Sequence, residues 1–279
     1  MIVNDRSELF LKKDFDVLNL KNFILINTMS IILCYQAPFR SNIGGNYCKY
    51  NGWDLLFRIL SSPRTILLVW YFFFTLMIFF NLFLKNPRYV EICRYTNRKN
   101  YYLQRVRKIS IFTIYFNSIF FINTYLCSLI KGRNFRGWGQ GVKLIFSDID
   151  KYRPLIFMNK EISQYNPLIQ FILYVIILTT FFILVGIIME IINNIISNKI
   201  IVCLASSALY LIITIHVFIY DTNTLSSKLM YDHLDLNLDG FGFFQNRYFN
   251  MYVSIAYLTV LCIAAYFIGK LTASKKEYY

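Results

Sequence analysis

Charge is scarce in this chain. Asp, Glu, Lys and Arg supply 16% of its 279 residues, against about 25% in soluble globular proteins, and whole segments lack them altogether. That excludes an ordinary soluble domain. Histidine is scarcer still, with His216 and His233 alone, and no HExxH occurs. The six cysteines, Cys34, Cys48, Cys93, Cys127, Cys203 and Cys262, form no CxxC and no metal-ligand spacing. They imply neither a disulfide framework nor a metal site. Glycine is also sparse, and none of it is arranged as a phosphate-cradling loop: Gly132 to Gly137 has the right glycine spacing, but Trp138 follows where GxxxxGK[ST] needs Lys. The glycines at 137, 139 and 141 read as a flexible loop, and GxSxG is missing. The chain is therefore expected not to be an enzyme and to bind no cofactor of its own.

One partial motif survives this survey. Asp235, Asn237, Asp239 and Gly240 match the first half of a calcium loop, yet position 12, which should be a bidentate Glu, is Asn246. Without that ligand the segment reads as a polar turn whose phenylalanines, Phe241, Phe243 and Phe244, dip toward lipid.

What the sequence has is apolar length. Hydrophobic types make up 57% of residues, with 27 Phe and 22 Tyr, a composition suited to a lipid-facing surface with aromatic residues near the headgroups. A membrane span needs about 20 apolar residues, because roughly 30 Å of hydrocarbon is crossed at 1.5 Å per residue. Thr65–Leu84, Ile109–Ile130, Leu168–Met189, Ile200–Tyr220 and Met251–Gly269 qualify without one charged residue. Asn22–Ala37 is shorter and carries Asn22 and Asn27; it completes a consistent topology. The expected fold is an all-α integral membrane protein of six transmembrane helices forming one transmembrane domain over residues 1–279.

Lys and Arg set the orientation. With the N-terminus inside, 16 of them fall in the 65 inner-segment residues (1–21, 85–108, 190–199 and 270–279), and 13 fall in the 94 outer residues (38–64, 131–167 and 221–250). The density puts both termini in the cytoplasm. Residues 1–21 carry no short basic region followed by an apolar one, so the first apolar stretch is expected to remain as an anchor rather than be cleaved. Ser7–Leu20 alternates charged and apolar residues and suits an amphipathic helix on the inner surface. The outer segments 131–167 and 221–250 exceed ordinary loop lengths. The net charge of +14 is read as span-flanking topology signals and contacts to anionic headgroups, not as a nucleic-acid surface.

Within the spans, small residues at Ala205 to Ala208 and at Ala256, Ala264, Ala265 and Gly269 allow close helix packing, including against a second copy of the chain. The intramembrane polar groups are Asn117, Asn123, Gln170 and His216. Such groups either bond a neighbouring helix or face a substrate path, and His216 alone of the four titrates near neutral pH. Glu190, at the inner end of the fourth span, is expected to extend to headgroup water.

The densest basic block, Lys85 to Lys108, has no helix breaker after Pro87. Arg94, Arg98, Tyr101, Tyr102 and Arg105 recur at spacings of three and four, which places them on one helical face. Arg and Tyr are the types enriched at the centres of protein interfaces, while a plain lipid-contacting topology anchor accounts for the arginines equally well. Together with Asn51-Gly52-Trp53-Asp54-Leu55-Leu56 before the second span, the stretch Arg94-Tyr95-Thr96-Asn97-Arg98-Lys99-Asn100-Tyr101-Tyr102 resembles the membrane subunits of type-2 ATP-binding-cassette exporters, the small bacterial six-span permeases of peptide, bacteriocin or drug export. The resemblance implies that Arg94, Tyr95, Arg98, Tyr101, Tyr102 and Arg105 dock on a separate nucleotide-binding ATPase subunit. That subunit would hold ATP and Mg, and two permeases, identical or related, would enclose the pathway. It implies a multi-pass protein of the cell membrane. Two other classes stay open at this stage: a non-transporting immunity, sensor or assembly protein, and a membrane-embedded enzyme acting on lipid.

Overall fold

The computed structural model describes residues 19–36, 41–43, 46–48, 51–60, 69–83, 98–132, 135–139, 142–143, 165–196, 201–202, 205 and 251–275. The Ser7–Leu20 segment up to residue 18, all but three residues of the fifth apolar stretch, and the calcium-like motif lie outside them.

The described chain is mainly helical, with one short antiparallel hairpin. Helix α1 runs Leu20–Gln36, and the hairpin pairs β1, Ser41–Ile43, with β2, Asn46–Cys48. Helix α2 spans Gly52–Leu60, α3 spans Phe72–Ile78 and continues into a π-helical turn at Phe79–Phe83, α4 spans Arg98–Gly132, α5 spans Pro167–Ile195 and α6 spans Met251–Lys275. Among the described residues, three helices are long and apolar enough to cross a membrane: Lys99–Gly132, Pro167–Ile195 and Tyr252–Ser274. Leu20–Tyr35 and Val69–Phe83 are apolar but shorter. Apolar residues also stand on the outside, among them Leu168, Ile169, Ile172 and Ile176 of α5. Such a surface is compatible with a membrane location.

Helix α4 is the hub of the bundle: it packs against each of α1, α2, α3, α5 and α6. Its buried stripe explains why. Tyr102, Ile109, Phe112, Phe116 and Phe120 are all buried, at spacings that keep them on one side of a 3.6-residue helix. Phe116 and Phe120 stack on Trp70 with centroids at 4.2 and 4.4 Å, and Phe74 meets Phe182 of α5 edge-on at 4.5 Å. In a bilayer, where lipid is as apolar as the core, packing of this kind and interhelical hydrogen bonds hold helices together. Gly186 of α5 makes room for the Ile109 side chain of α4, which a Cβ there would overlap.

Helix α5 begins where its sequence says it should. Asn166 accepts a hydrogen bond from the Leu168 N–H at 3.0 Å, and Pro167 occupies the first helical position, the arrangement that satisfies one orphan donor and spares another.

Candidate functional site: the basic end of helix α4

Helix α4 has 35 residues, about 52 Å at 1.5 Å per residue, so it outruns a hydrocarbon core of about 30 Å. Its first turns belong to the basic block. There the structure divides the residues that sequence spacing had grouped. Tyr102 is 1% exposed; its ring lies 5.9 Å from that of Tyr266, and its hydroxyl sits against Gly269. Arg105 also turns inward. The exposed face is instead Lys99, Asn100, Leu103 and Arg107. The reason is periodicity: Tyr102 and Arg105 continue, three and four residues at a time, the stripe that buries Ile109, Phe112 and Phe116. Tyr101 is half-buried. Arg98 begins the helix, and Arg94 and Tyr95 lie outside the described residues.

Arg105 ties three elements together. Its Nη2 donates to Glu190 Oε2 of α5 at 3.1 Å and its Nε to the same oxygen at 3.3 Å. Its Nη1 donates to the Leu82 carbonyl at 2.7 Å, and its guanidinium lies 5.0 Å from the centre of the Phe83 ring. Leu82 lies in the last turn before the described part of the second apolar segment ends. A guanidinium fork can donate to a backbone carbonyl and grip a carboxylate at once. Glu190 is thus not at headgroup water, as its position had suggested. It is 1% exposed, because Arg105 supplies the counter-charge that solvent would otherwise have given.

Two of the four intramembrane polar residues bond neighbouring segments of the bundle. Asn117 Oδ1 accepts from Trp70 Nε1 at 3.2 Å. Asn123 Nδ2 donates to Asn27 Oδ1 at 2.9 Å and to Ser30 Oγ, joining α4 to α1. Cys34 and Thr124 extend that seam at 3.4 Å. Gln170 is buried on α5, and His216 lies outside the described residues. Among the described residues no cluster of His, Cys, Asp or Glu could hold a metal.

The opposite end of α4 meets a compact cap that sequence reasoning passed over. Asn51 and Asp54 form a reciprocal box at the start of α2: the Asp54 N–H donates to Asn51 Oδ1 at 2.9 Å, and the Asn51 N–H donates to Asp54 Oδ2 at 3.3 Å. The same two side chains hold the segment after α4. Asn51 Nδ2 donates to the Gly137 carbonyl at 2.7 Å, and the Gly139 N–H donates to Asp54 Oδ1 at 2.9 Å. Trp53 Nε1 donates to the Phe135 carbonyl at 2.8 Å. Gly137 and Gly139, two of the three glycines read as a flexible loop, are therefore held in place; Gly141 lies outside the described residues.

Burial pushes the Asp54 carboxyl up from 3.8 to about 6, and the Gly139 and Asn51 N–H groups only partly offset it. The fold thus favours the protonated form relative to the unfolded chain. Its stabilising effect is full below 3.8 and is lost as pH rises through about 6. Thermal unfolding in detergent is expected to shift upward as pH falls from 7 to about 5, and Asp54→Asn should flatten that slope. An equal slope in the variant would assign the effect to other groups.

In comparisons with known proteins, no family model, no curated protein and no solved structure matches this chain.

Proposed function

We propose that the chain is the permease subunit of an ATP-driven exporter, a six-span multi-pass protein of the cell membrane with both termini in the cytoplasm. Two copies, or this chain and a related permease, would form the pathway for a peptide, bacteriocin or lipid-like substrate. A separate ATPase subunit would dock on the basic segment 85–108. The observation that carries this reading is the unbroken course of α4 from that segment through the centre of the bundle. A push at Arg98 cannot be absorbed by a loop before it reaches α1, α3, α5 and α6. The exposed Lys99, Asn100, Leu103 and Arg107 add a basic face on which an acidic surface of the ATPase would sit, together with the expected docking residues Arg94, Tyr95 and Arg98 of the same segment.

Expression of the tagged chain with its genomic neighbours, followed by affinity purification from detergent extracts, tests this directly. A nucleotide-binding subunit should co-purify, and replacing both Arg94 and Arg98, or both Lys99 and Arg107, with Glu should abolish the association while membrane insertion persists. Recovery of no ATPase would remove the exporter reading in favour of a non-transporting membrane protein. Undiminished association in both charge-reversed pairs would move the docking surface elsewhere.

A further inference from the structure

The ion pair at the basic end of α4 is surrounded by hydrogen-bond donors that have nothing to do. Tyr102 Oη and Asn194 Nδ2 are buried and bond no other group. Buried polar atoms are nearly always paired, and one that is not needs a reason. Asn194 stands one helical turn beyond Glu190 on α5, and the Glu190 charge acts on the Tyr102 hydroxyl. Tyr102 in turn is one turn before Arg105, so the three groups that bear on Glu190 come from two adjacent turns of α4 and one of α5. The carboxylate uses a single oxygen, Oε2, for both contacts with Arg105.

We infer that Glu190 is a two-position switch: in the state described here it holds Arg105 inward, and in a second state the Tyr102 hydroxyl and the Asn194 amide take over the carboxylate and release Arg105. The spare donors are the second state's partners, left vacant in the first. On release, Arg105 gives up the Leu82 carbonyl and the face of Phe83 together, so the end of the second apolar segment separates from α4 and α5 in the same event. A packed interface with two discrete arrangements of this kind converts a small movement into a change of state. Its use in coupling rests on the exporter reading, where the released guanidinium would join the docking face; the switch itself does not.

The test uses the full chain in nanodiscs with its six cysteines replaced and Phe83→Cys as reporter. Phe83 is 2% exposed beneath the Arg105 guanidinium, so labelling by a small maleimide reads release of that side chain. A control cysteine at Phe116, which is fully buried, must stay unlabelled, and separates release from unfolding. Glu190→Gln removes the counter-charge and should label about tenfold faster than its parent. Tyr102→Phe with Asn194→Val leaves the ion pair intact and withdraws only the second state's partners; it should label about threefold slower. Equal or faster labelling in that double variant would overturn the switch, whether or not Glu190→Gln remains folded. An unchanged rate in a folded Glu190→Gln would do the same. Failure to recover an ATPase would not alter either labelling result.

Discussion

Replacing Arg105 with alanine should lower the stability of the protein by about 3–5 kcal/mol, the cost of leaving one member of a buried pair without its counter-charge. Three losses coincide in this one change: Glu190, at 1% exposure, loses its partner, the Leu82 carbonyl loses its Arg105 donor, and the Phe83 ring loses the cation above it. The paired variant Arg105→Ala with Glu190→Gln should regain at least half of the loss, because a neutral amide needs no counter-charge and finds donors in Tyr102 and Asn194. Arg105→Lys should fall between, since an ammonium on a flexible stem lacks the fork that reaches Leu82 and Glu190 together. Reversible unfolding in mixed micelles measures all three. A double variant no more stable than Arg105→Ala would show that the carboxylate is not what makes the single change costly.

The second large effect is expected at a glycine, and not at the one with the unusual backbone. Gly137 has a φ of +70°, a conformation that L side chains adopt at some cost, but nothing stands within reach of a Cβ there. Gly132, at the end of α4, is ordinary helix. A Cβ on it would run into the backbone of Gly52 and Asn51, and backbone cannot change rotamer to make room. Gly132→Ala should therefore cost about 3 kcal/mol by forcing α2 away from α4, and Gly137→Ala about 1 kcal/mol. Unfolding midpoints of the two variants check the order. The reverse ranking would place the strain of the cap in the turn rather than in the helix crossing.

Much of this fold was legible in the sequence, for physical reasons that also mark where legibility ended. Charge-free apolar runs announce helices, so α4, α5 and α6 fall where hydropathy puts them. The Asn166-Pro167 start of α5 follows from local backbone chemistry. Partners between helices are a different matter. Spacing of three and four correctly put Tyr102 and Arg105 on one face of α4, but spacing alone does not say whether a face looks inward or outward. Following the stripe on through Ile109, Phe112 and Phe116 would have answered it. Glu190 and Arg105 are 85 residues apart, and nothing local to either announces the other; a lone acid at the end of an apolar run was the available sign. Asn51 and Asp54 stand three apart, the spacing of a capping box, but that sign was passed over, and their second task, holding residues 135–139, belongs to tertiary structure alone.

The length of α4 has a mechanical consequence. A rigid rod of about 52 Å pivoting near its middle moves each end by about 2 Å for every 5° of tilt. That displacement is close to the difference between a hydrogen bond and no hydrogen bond. A rotation small enough to leave the stacked rings around Trp70 in contact would therefore strain the polar contacts toward both ends, Arg105 with Glu190 about two turns inside one, where the shift is about 1.3 Å, and Gly139 with Asp54 beyond the other. Any such tilt would spare the packed middle of the bundle and fall on its rims.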